Sequence, residues 1–322
     1  MVEIAGVAVA LLSIGTIALV YAMLTMGLNV HYGYTGLLNF GHVAFFAAGA
    51  YTSALLTVPP PGPGANYTVA LSLPMPWGLP VSLVAAALVG GLLATLIGLT
   101  SVRLGTHYLA IATFALAGIF EDVLVNEAWL TAGTFGLNSV PRPGRALLGP
   151  GTWQLAYFVF ALVLTVGVYL VVERLSDAPF GRLLRGVRES EEAAEVLGKD
   201  TTRVKLKSFA IGGMIAGLAG GVYAHYVGSV VAVTFVALVT FLVWVALLLG
   251  GAGSNLGAVV GAVVLVAFRE GTRYLPDLGG SPTLLPSLRF VVIGFLLILV
   301  VRFRPAGLFG DPNELVLAGD DE

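Results

Sequence analysis

The stretch RLSDAPFGRLLRGVRESEEAAEVLGKDTTRVKLK, Arg174–Lys207, decides how the chain must be read. It holds 14 of the 34 Asp, Glu, Lys and Arg residues, and apolar segments of membrane-spanning length flank it on both sides. Charge in hydrocarbon is expensive, so this block stands in water between spans. The 322 residues as a whole are 57% hydrophobic and only 11% charged, with a mean hydropathy of +0.94. A soluble domain carries about a quarter charged residues. The class this predicts is an all-α polytopic membrane protein. It is read as one domain over residues 1–322, with the water-facing loop 174–207 set within it as a grip for something soluble.

Several functions are excluded by composition. The chain has no cysteine, which removes disulfides, thiolate chemistry and cysteine metal sites. A net charge of −2 leaves no footprint for nucleic acid. Gly198-Lys199 is followed by Asp200 and preceded, at the spacing a phosphate-binding loop requires, by Ala193. Nothing here cradles a nucleotide phosphate, so energy must come from a partner or an ion gradient. His42 and His225 are isolated and His107 falls in a short loop, so no metal or other cofactor is expected. Met1–Leu28 lacks a basic leader region and reads as a retained span.

Outward from the charged block, the apolar runs are Ile4–Val30, Leu37–Thr52, Leu79–Val102, Tyr108–Val125 and Thr152–Val172 before it. After it come Ser208–Gly228, Val233–Gly250, Leu256–Phe268 and Arg289–Val301. That makes about nine spans, eight to ten if short glycine-rich segments merge or re-enter. Pro59-Pro60-Pro61-Gly62-Pro63-Gly64 ends the second run, since no helix continues through such a composition. Asn126–Gly151 reads as an external loop. With the charged block cytoplasmic, alternation puts the N-terminus outside and the C-terminus inside. Eleven of the 16 cationic residues, Arg103, Arg302 and Arg304 among them, then fall on the cytoplasmic side, as the positive-inside rule asks. Arg269, Arg273 and Arg289 form an external cluster that runs against it.

The block itself resolves into two short helices. Asp177-Ala178-Pro179 is a helix start, with proline in the first turn, and Phe180–Arg188 follows. Ser190 caps a second, Glu191–Leu197, whose first-turn Glu191 and Glu192 suit the positive end of the dipole. Gly198 suits the left-handed residue that ends it. Two turns of helix do not hold alone in water, so the bundle or a partner must pack on them. Elsewhere, Gly213, Gly217 and Gly221, and likewise Gly253, Gly257 and Gly261, lay glycine stripes along one helix face each. Such stripes serve close packing within the chain or a seam between subunits.

Glu192-Ala193-Ala194 with Gly198 resembles the loop by which permeases of ABC importers dock on their ATPase. The wider run is more specific: Gly181-Arg182, Arg188-Glu189, Glu191 to Ala194, Leu197-Gly198, then Lys205-Leu206 and Phe209. Gly33-Tyr34-Thr35-Gly36-Leu37-Leu38-Asn39-Phe40-Gly41-His42 continued through Gly49-Ala50-Tyr51-Thr52 is a second block. Tyr108 to Thr113, Leu249-Gly250-Gly251 with Gly253-Ser254, Gly257 and Gly261, and Phe303 with Pro305 and Gly307-Leu308 complete five in order. Together they are similar to the LivM-type branched-chain amino-acid permeases over most of the chain.

The resemblance implies a permease subunit for leucine, isoleucine, valine or similar amino acids, in the cell membrane of a prokaryote, surrounded by lipid. Its implied partners are cytoplasmic ABC ATPase subunits, a sister permease in a homo- or heterodimer, and an extracytoplasmic substrate-binding protein. ATP hydrolysis would belong to the ATPase, so the chain itself is not an enzyme. Arg188, Glu189, Glu192, Ala193, Ala194, Leu197 and Gly198 would carry the coupling. Departures from the family pattern, such as Ala132 before Gly133, Ala232 to Thr234 without a proline, and Thr240 where a serine is usual, bear on substrate identity and leave the class intact.

Candidate pathway residues follow from polarity within apolar runs. Glu121 and Asp122 are the acidic pair inside a span, either snorkelling to the nearby external surface, about 7.5 Å away, or attracting a substrate ammonium. A substrate carboxylate could meet a helix N-terminus, and the breaks at Asn39–His42 and at Ser254, Asn255 and Gly257 supply two, both toward the cytoplasm. The rival reading is an ion-coupled amino-acid carrier acting without an ATPase, for which that acidic pair would have to serve. A membrane enzyme has no nucleophile–base set here to stand on.

Overall fold

Glycine decides the packing at the centre of the molecule. In the computed structural model, α9 (Thr201–Val227) presents Gly213, Gly217 and Gly221 to α3 (Gly78–Ser101), Gly220 to α2 (His42–Thr57) and Gly212 to α1 (Val2–His31). A methyl group on Gly217 would run into the backbone of Ala86, 3.0 Å from Gly90 Cα. Without side chains between them the backbones approach closely, and dispersion replaces the hydrophobic effect that lipid cannot supply. The structure describes residues 2–62, 67–75, 77–101, 106–271, 284–304 and 306–310. Pro63, Gly64, Arg103, Arg273 and Pro305 lie outside them.

Among the described residues six helices are long and apolar enough to cross a membrane: Gly6–His31, Gly78–Thr100, His107–Asn126, Gly151–Asp177, Thr201–Val227 and Ala232–Gly250. In order these belong to α1, α3, α4 (Thr106–Asn126), α6 (Pro150–Asp177), α9 and α10 (Ala237–Gly250) with the turn before it. Three further helices are α2, α11 (Asn255–Gly271) and α12 (Leu284–Phe303), of 16, 17 and 20 residues. The chain is thus a mostly helical, multi-pass membrane protein.

Side-chain bonds fix which ends lie together. Helices α6 and α9 are antiparallel, Tyr157 donating to the Val222 carbonyl (2.8 Å) and Gln154 to the Tyr226 hydroxyl (2.9 Å). Gln154 also meets Ser13 near the start of α1, while Arg188, just past α6, donates to Gly33 O just past α1. Helices α1 and α6 therefore run the same way, and both finish at the end that carries the charged block.

At the opposite end the segment after α4 is folded rather than loose. It forms α5 (Ala128–Thr131), a 3-10 turn (Gly133–Phe135) and a short strand β1 (Leu137–Asn138). This strand pairs antiparallel with β2 (Ser229–Val230), which follows α9, Leu137 lying opposite Val230. Arg142 donates to Val227 O, and His225 bonds the Pro141 carbonyl at 2.8 Å. The expected loop Asn126–Gly151 is a cap clamped to the end of α9.

Candidate functional site

Helix α1 stops where His31-Tyr32-Gly33-Tyr34-Thr35-Gly36 turns the chain back, Gly36 sitting at φ +73°. Its last carbonyls are not left bare. Thr35 donates to Val30 O (3.0 Å), and the amides of Tyr34 and Leu37 bond Asn29 O and His31 O. Leu37–Gly41 then runs unwound into the bundle before α2 begins at His42. His42 bonds the carbonyl of Leu24 at 3.0 Å, seven residues before the end of α1 and so about 10 Å inside it.

Backbone without its own ladder cannot sit in a membrane unless something else satisfies it. Here the bundle does so. Phe40 N–H donates to Thr113 Oγ1 of α4 (3.0 Å), Val43 N–H to Thr240 Oγ1 of α10 (3.0 Å), and Gly41 N–H to Asn39 Oδ1 (2.8 Å). Trp244 Nε1 of α10 donates to Asn39 O at 3.0 Å. With its oxygen on Gly41, Asn39 turns its amide N–H₂ to His31 Nδ1 (3.1 Å), which must accept; His31 Nε2 then donates to Phe209 O of α9 (3.2 Å). The partners thereby set the tautomer of His31. His31 and His42 pack edge to face, ring centres 5.3 Å apart.

A second polar cluster joins three helices at the charged end. Asn29 of α1 accepts from Gly253 N–H (2.8 Å) and donates to Asn255 Oδ1 of α11 (3.1 Å). Asn255 in turn donates to Glu173 Oε2 of α6 at 2.6 Å. Ser254 caps α11 by accepting from Gly257 N–H (3.0 Å). The turn between α10 and α11 is covered by the Gly307-Leu308 segment: Leu308 and Phe309 N–H bond the carbonyls of Leu249 and Gly250 at 3.0 and 2.8 Å. Gly257 and Gly261 meet the backbones of Gly250 and Ala246, so this stripe packs α11 on α10.

The charged block is two helices, α7 (Pro179–Glu189) and α8 (Glu191–Val196). Gly181 permits the bend after α6, because any Cβ there would strike the Leu175 and Ser176 carbonyls. Helix α7 buries Gly181, Leu184 and Val187 along one face. Its arginines reach into the bundle: Arg185 donates to Ser176 O (3.0 Å) and lies over the Tyr34 ring, and Arg188 bonds Gly33 O. Ser190 caps α8 by accepting from Ala193 N–H (3.2 Å), and Gly198 closes it at φ +76°. Ala194 turns inward; Glu191 pairs with Lys205 and Glu195 accepts from Thr201 at 2.7 Å. Outward stand Glu192, Ala193 and the apolar tip, Val196 and Leu197, 88% and 77% exposed.

The structure brings Asn39 and His42 together, and places Ser254 and Asn255 in a separate cluster two residues lower on α1, at Asn29. Glu121 and Asp122 join neither: on α4 the first is half-buried and the second exposed. Thr113, Trp244, Glu173 and His31 all serve these clusters and were not singled out from sequence, whereas Thr240, which serves them too, stood out there only as a departure from the family pattern. Only the unwound Leu37–Gly41, with a glycine at each end, hinted that outside donors and acceptors were needed. Arg269, expected in an external cluster, instead points into the bundle, where it donates to the Tyr21 hydroxyl at 2.7 Å.

Residues 10–301 match the family model described as branched-chain amino acid transport system, permease component. The chain is 32% identical over 320 residues to the high-affinity branched-chain amino acid transport system permease protein LivM of Escherichia coli, covering 92% of this chain and 69% of that one. LivM of Salmonella typhimurium is 31% identical over 319 residues, with the same coverage. The probable LivM of Methanocaldococcus jannaschii is 27% identical over 315 residues, 89% of this chain and 90% of that one. No solved structure matches the chain.

Proposed function

The chain belongs to the family of branched-chain amino acid transport system permease components, and from that premise we propose that it is the membrane half-channel of an ATP-driven importer of leucine, isoleucine, valine or similar amino acids. Its charged end faces the cytoplasm, where α7 and α8 fit a groove of an ABC ATPase. A sister permease completes the channel and an extracytoplasmic binding protein delivers the substrate. The three remaining helices α2, α11 and α12 complete nine crossings, with unwound backbone making up the length that α2 lacks.

The observation that carries the coupling is the division of α7 and α8 into two faces. The inner face is anchored through Leu184, Val187, Ala194 and the Arg188 bond to Gly33. The outer one offers Glu192, Ala193, Val196 and Leu197 to solvent. A pull on the outer face reaches Gly33–Gly36 through Arg188, and from there the unwound Leu37–Gly41 held between α4 and α10. Closure of the ATPases would thus shift α2 against α4 and α10 and rock the bundle between outward-open and inward-open forms.

Charge reversal at Glu192 (Glu192→Lys) and a bulky residue at Ala193 (Ala193→Trp) are expected to abolish ATPase assembly or leucine uptake while the permease still folds, because both side chains are exposed. Undiminished uptake in both variants would remove the docking assignment. The acidic pair on which an ion-coupled carrier was to rest does not lie in the interior, Glu121 being half-buried and Asp122 exposed. Leucine uptake by the purified chain alone, driven by an ion gradient, would favour that carrier.

A further inference from the structure

Arg269 and Glu270 stand side by side near the end of α11, on the wall of a chamber of about 470 Å³ lined by α1, α2, α9, α10 and α11. Resting on the importer reading above, we propose that this chamber is a way-station for a zwitterionic amino acid with an aliphatic side chain, Arg269 receiving its carboxylate and Glu270 its ammonium.

The walls have two characters. Ile17, Phe46, Leu238 and Leu242 make an apolar side, and Tyr21, Arg269 and Glu270 a polar one. Arg269 Nη2 lies 2.9 Å from Glu270 Oε1, its Nε 3.0 Å from the same oxygen, and its Nη1 donates to Tyr21. These two side chains are only 19% and 13% exposed. An ion pair turned into the interior of a membrane chain is by default a candidate functional site. The volume falls in the range of ordinary small-molecule sites, about 300–1,000 Å³.

Charge bookkeeping favours a zwitterion. Arg269 and Glu270 set one charge of each sign side by side, the arrangement that a ligand carrying both charges matches. An amino acid exchanges partners: its carboxylate takes the place of Glu270 on Arg269, and the released Glu270 carboxylate accepts the ammonium. The planar guanidinium suits a carboxylate from either source. A leucine side chain then lies along Phe46, Leu238 and Leu242, on the apolar side of the chamber.

Position agrees with a stop on the way in. Arg269 follows Asn255 by 14 residues, about 21 Å along α11, so the chamber opens in the half of the bundle away from the charged end. The two helix starts within the bundle offer less. At α2 the amides of Phe40, Gly41, Val43 and Ala44 already have protein acceptors, and at α11 those of Gly257 and Ala258 do.

The test is leucine uptake by the complete importer (both permeases, ATPases and binding protein) in liposomes, with basal ATP hydrolysis and size-exclusion profile as checks on assembly. Arg269→Gln and Glu270→Gln are each expected to lower kcat/KM for leucine at least tenfold with assembly intact. The neutral double variant Arg269→Gln/Glu270→Gln is expected to stay as low. Recovery of uptake in the double variant would mark the pair as structural and overturn the site, as would unchanged kinetics in both single variants. Should the single variants not assemble, Leu238→Phe narrows the apolar wall alone and is expected to raise KM for leucine more than for alanine. An unchanged ratio of the two KM values overturns the site. A wild-type complex that moves no aliphatic amino acid would sink the importer reading along with it; wild-type uptake with indifferent variants sinks the chamber only.

Discussion

A single hydroxyl, that of Thr240, closes the first turn of α2 by accepting from Val43 N–H. Replacing it by valine keeps the shape and removes the acceptor, stranding a buried amide at about 1–3 kcal/mol. Thr240→Val is therefore expected to lower the thermal midpoint of the purified protein in detergent, and Thr240→Ser to restore it. Glycine positions divide just as sharply. Gly217→Val should yield no monodisperse protein by size exclusion, since even its Cβ collides with α3, whereas Gly118→Ala faces open space on α4 and should match or slightly exceed wild type, alanine being the better helix former by about 1 kcal/mol. Sequence exposed Asn39 and His42 because polar residues and glycines interrupt an apolar run. It showed Thr113 and Thr240 only as members of, or departures from, a family pattern, and gave neither a bonding partner. A threonine in such a run ordinarily bonds its own preceding turn, as Thr16, Thr25 and Thr165 do, and nothing local distinguishes one that serves a neighbour.

At the scale of elements, the pair α7–α8 was almost fully legible. Pro179, Ser190 and Gly198 are punctuation with one meaning each, and the observed α8 ends at Val196, one residue short of the expected Leu197. Helix α2 was less so: the run from Leu37 reads as one apolar segment, and short apolar runs do not reveal whether they are helical or extended. The link between these elements is Arg188. Arg188→Gln leaves the exposed face of α8 untouched but weakens the hold on Gly33. The expected result is a complex that still hydrolyses ATP while leucine uptake falls several-fold. Parallel loss of both activities would place Arg188 in assembly instead of transmission.

For the molecule as a whole, counting cations along the sequence put the charged block inside the cell, but it treated every arginine as facing water. Arg269 does not, because a tyrosine hydroxyl and a neighbouring carboxylate hold it within the bundle. Pairings of that kind, like the β1–β2 cap, join residues far apart in the chain and leave no local trace. The absence of cysteine makes the orientation directly measurable. Val196→Cys, at the tip of α8, is expected to react with a membrane-impermeant maleimide only in inside-out vesicles. Leu147→Cys, at the opposite end and 91% exposed, should react only in right-side-out ones. Reversed labelling would turn the importer upside down and remove the ATPase from its docking face.

The unwound approach to α2 carries a last consequence. Sixteen residues of helix span only about 24 Å, and the backbone leading into them is stitched to its neighbours by borrowed threonines and a tryptophan. Most membrane helices fray at their rims and are stiffest midway; this one has its seam in the interior. Opening it requires only a few side-chain contacts to part, with every helix left whole, and a chain built that way can change shape at its waist without melting anywhere.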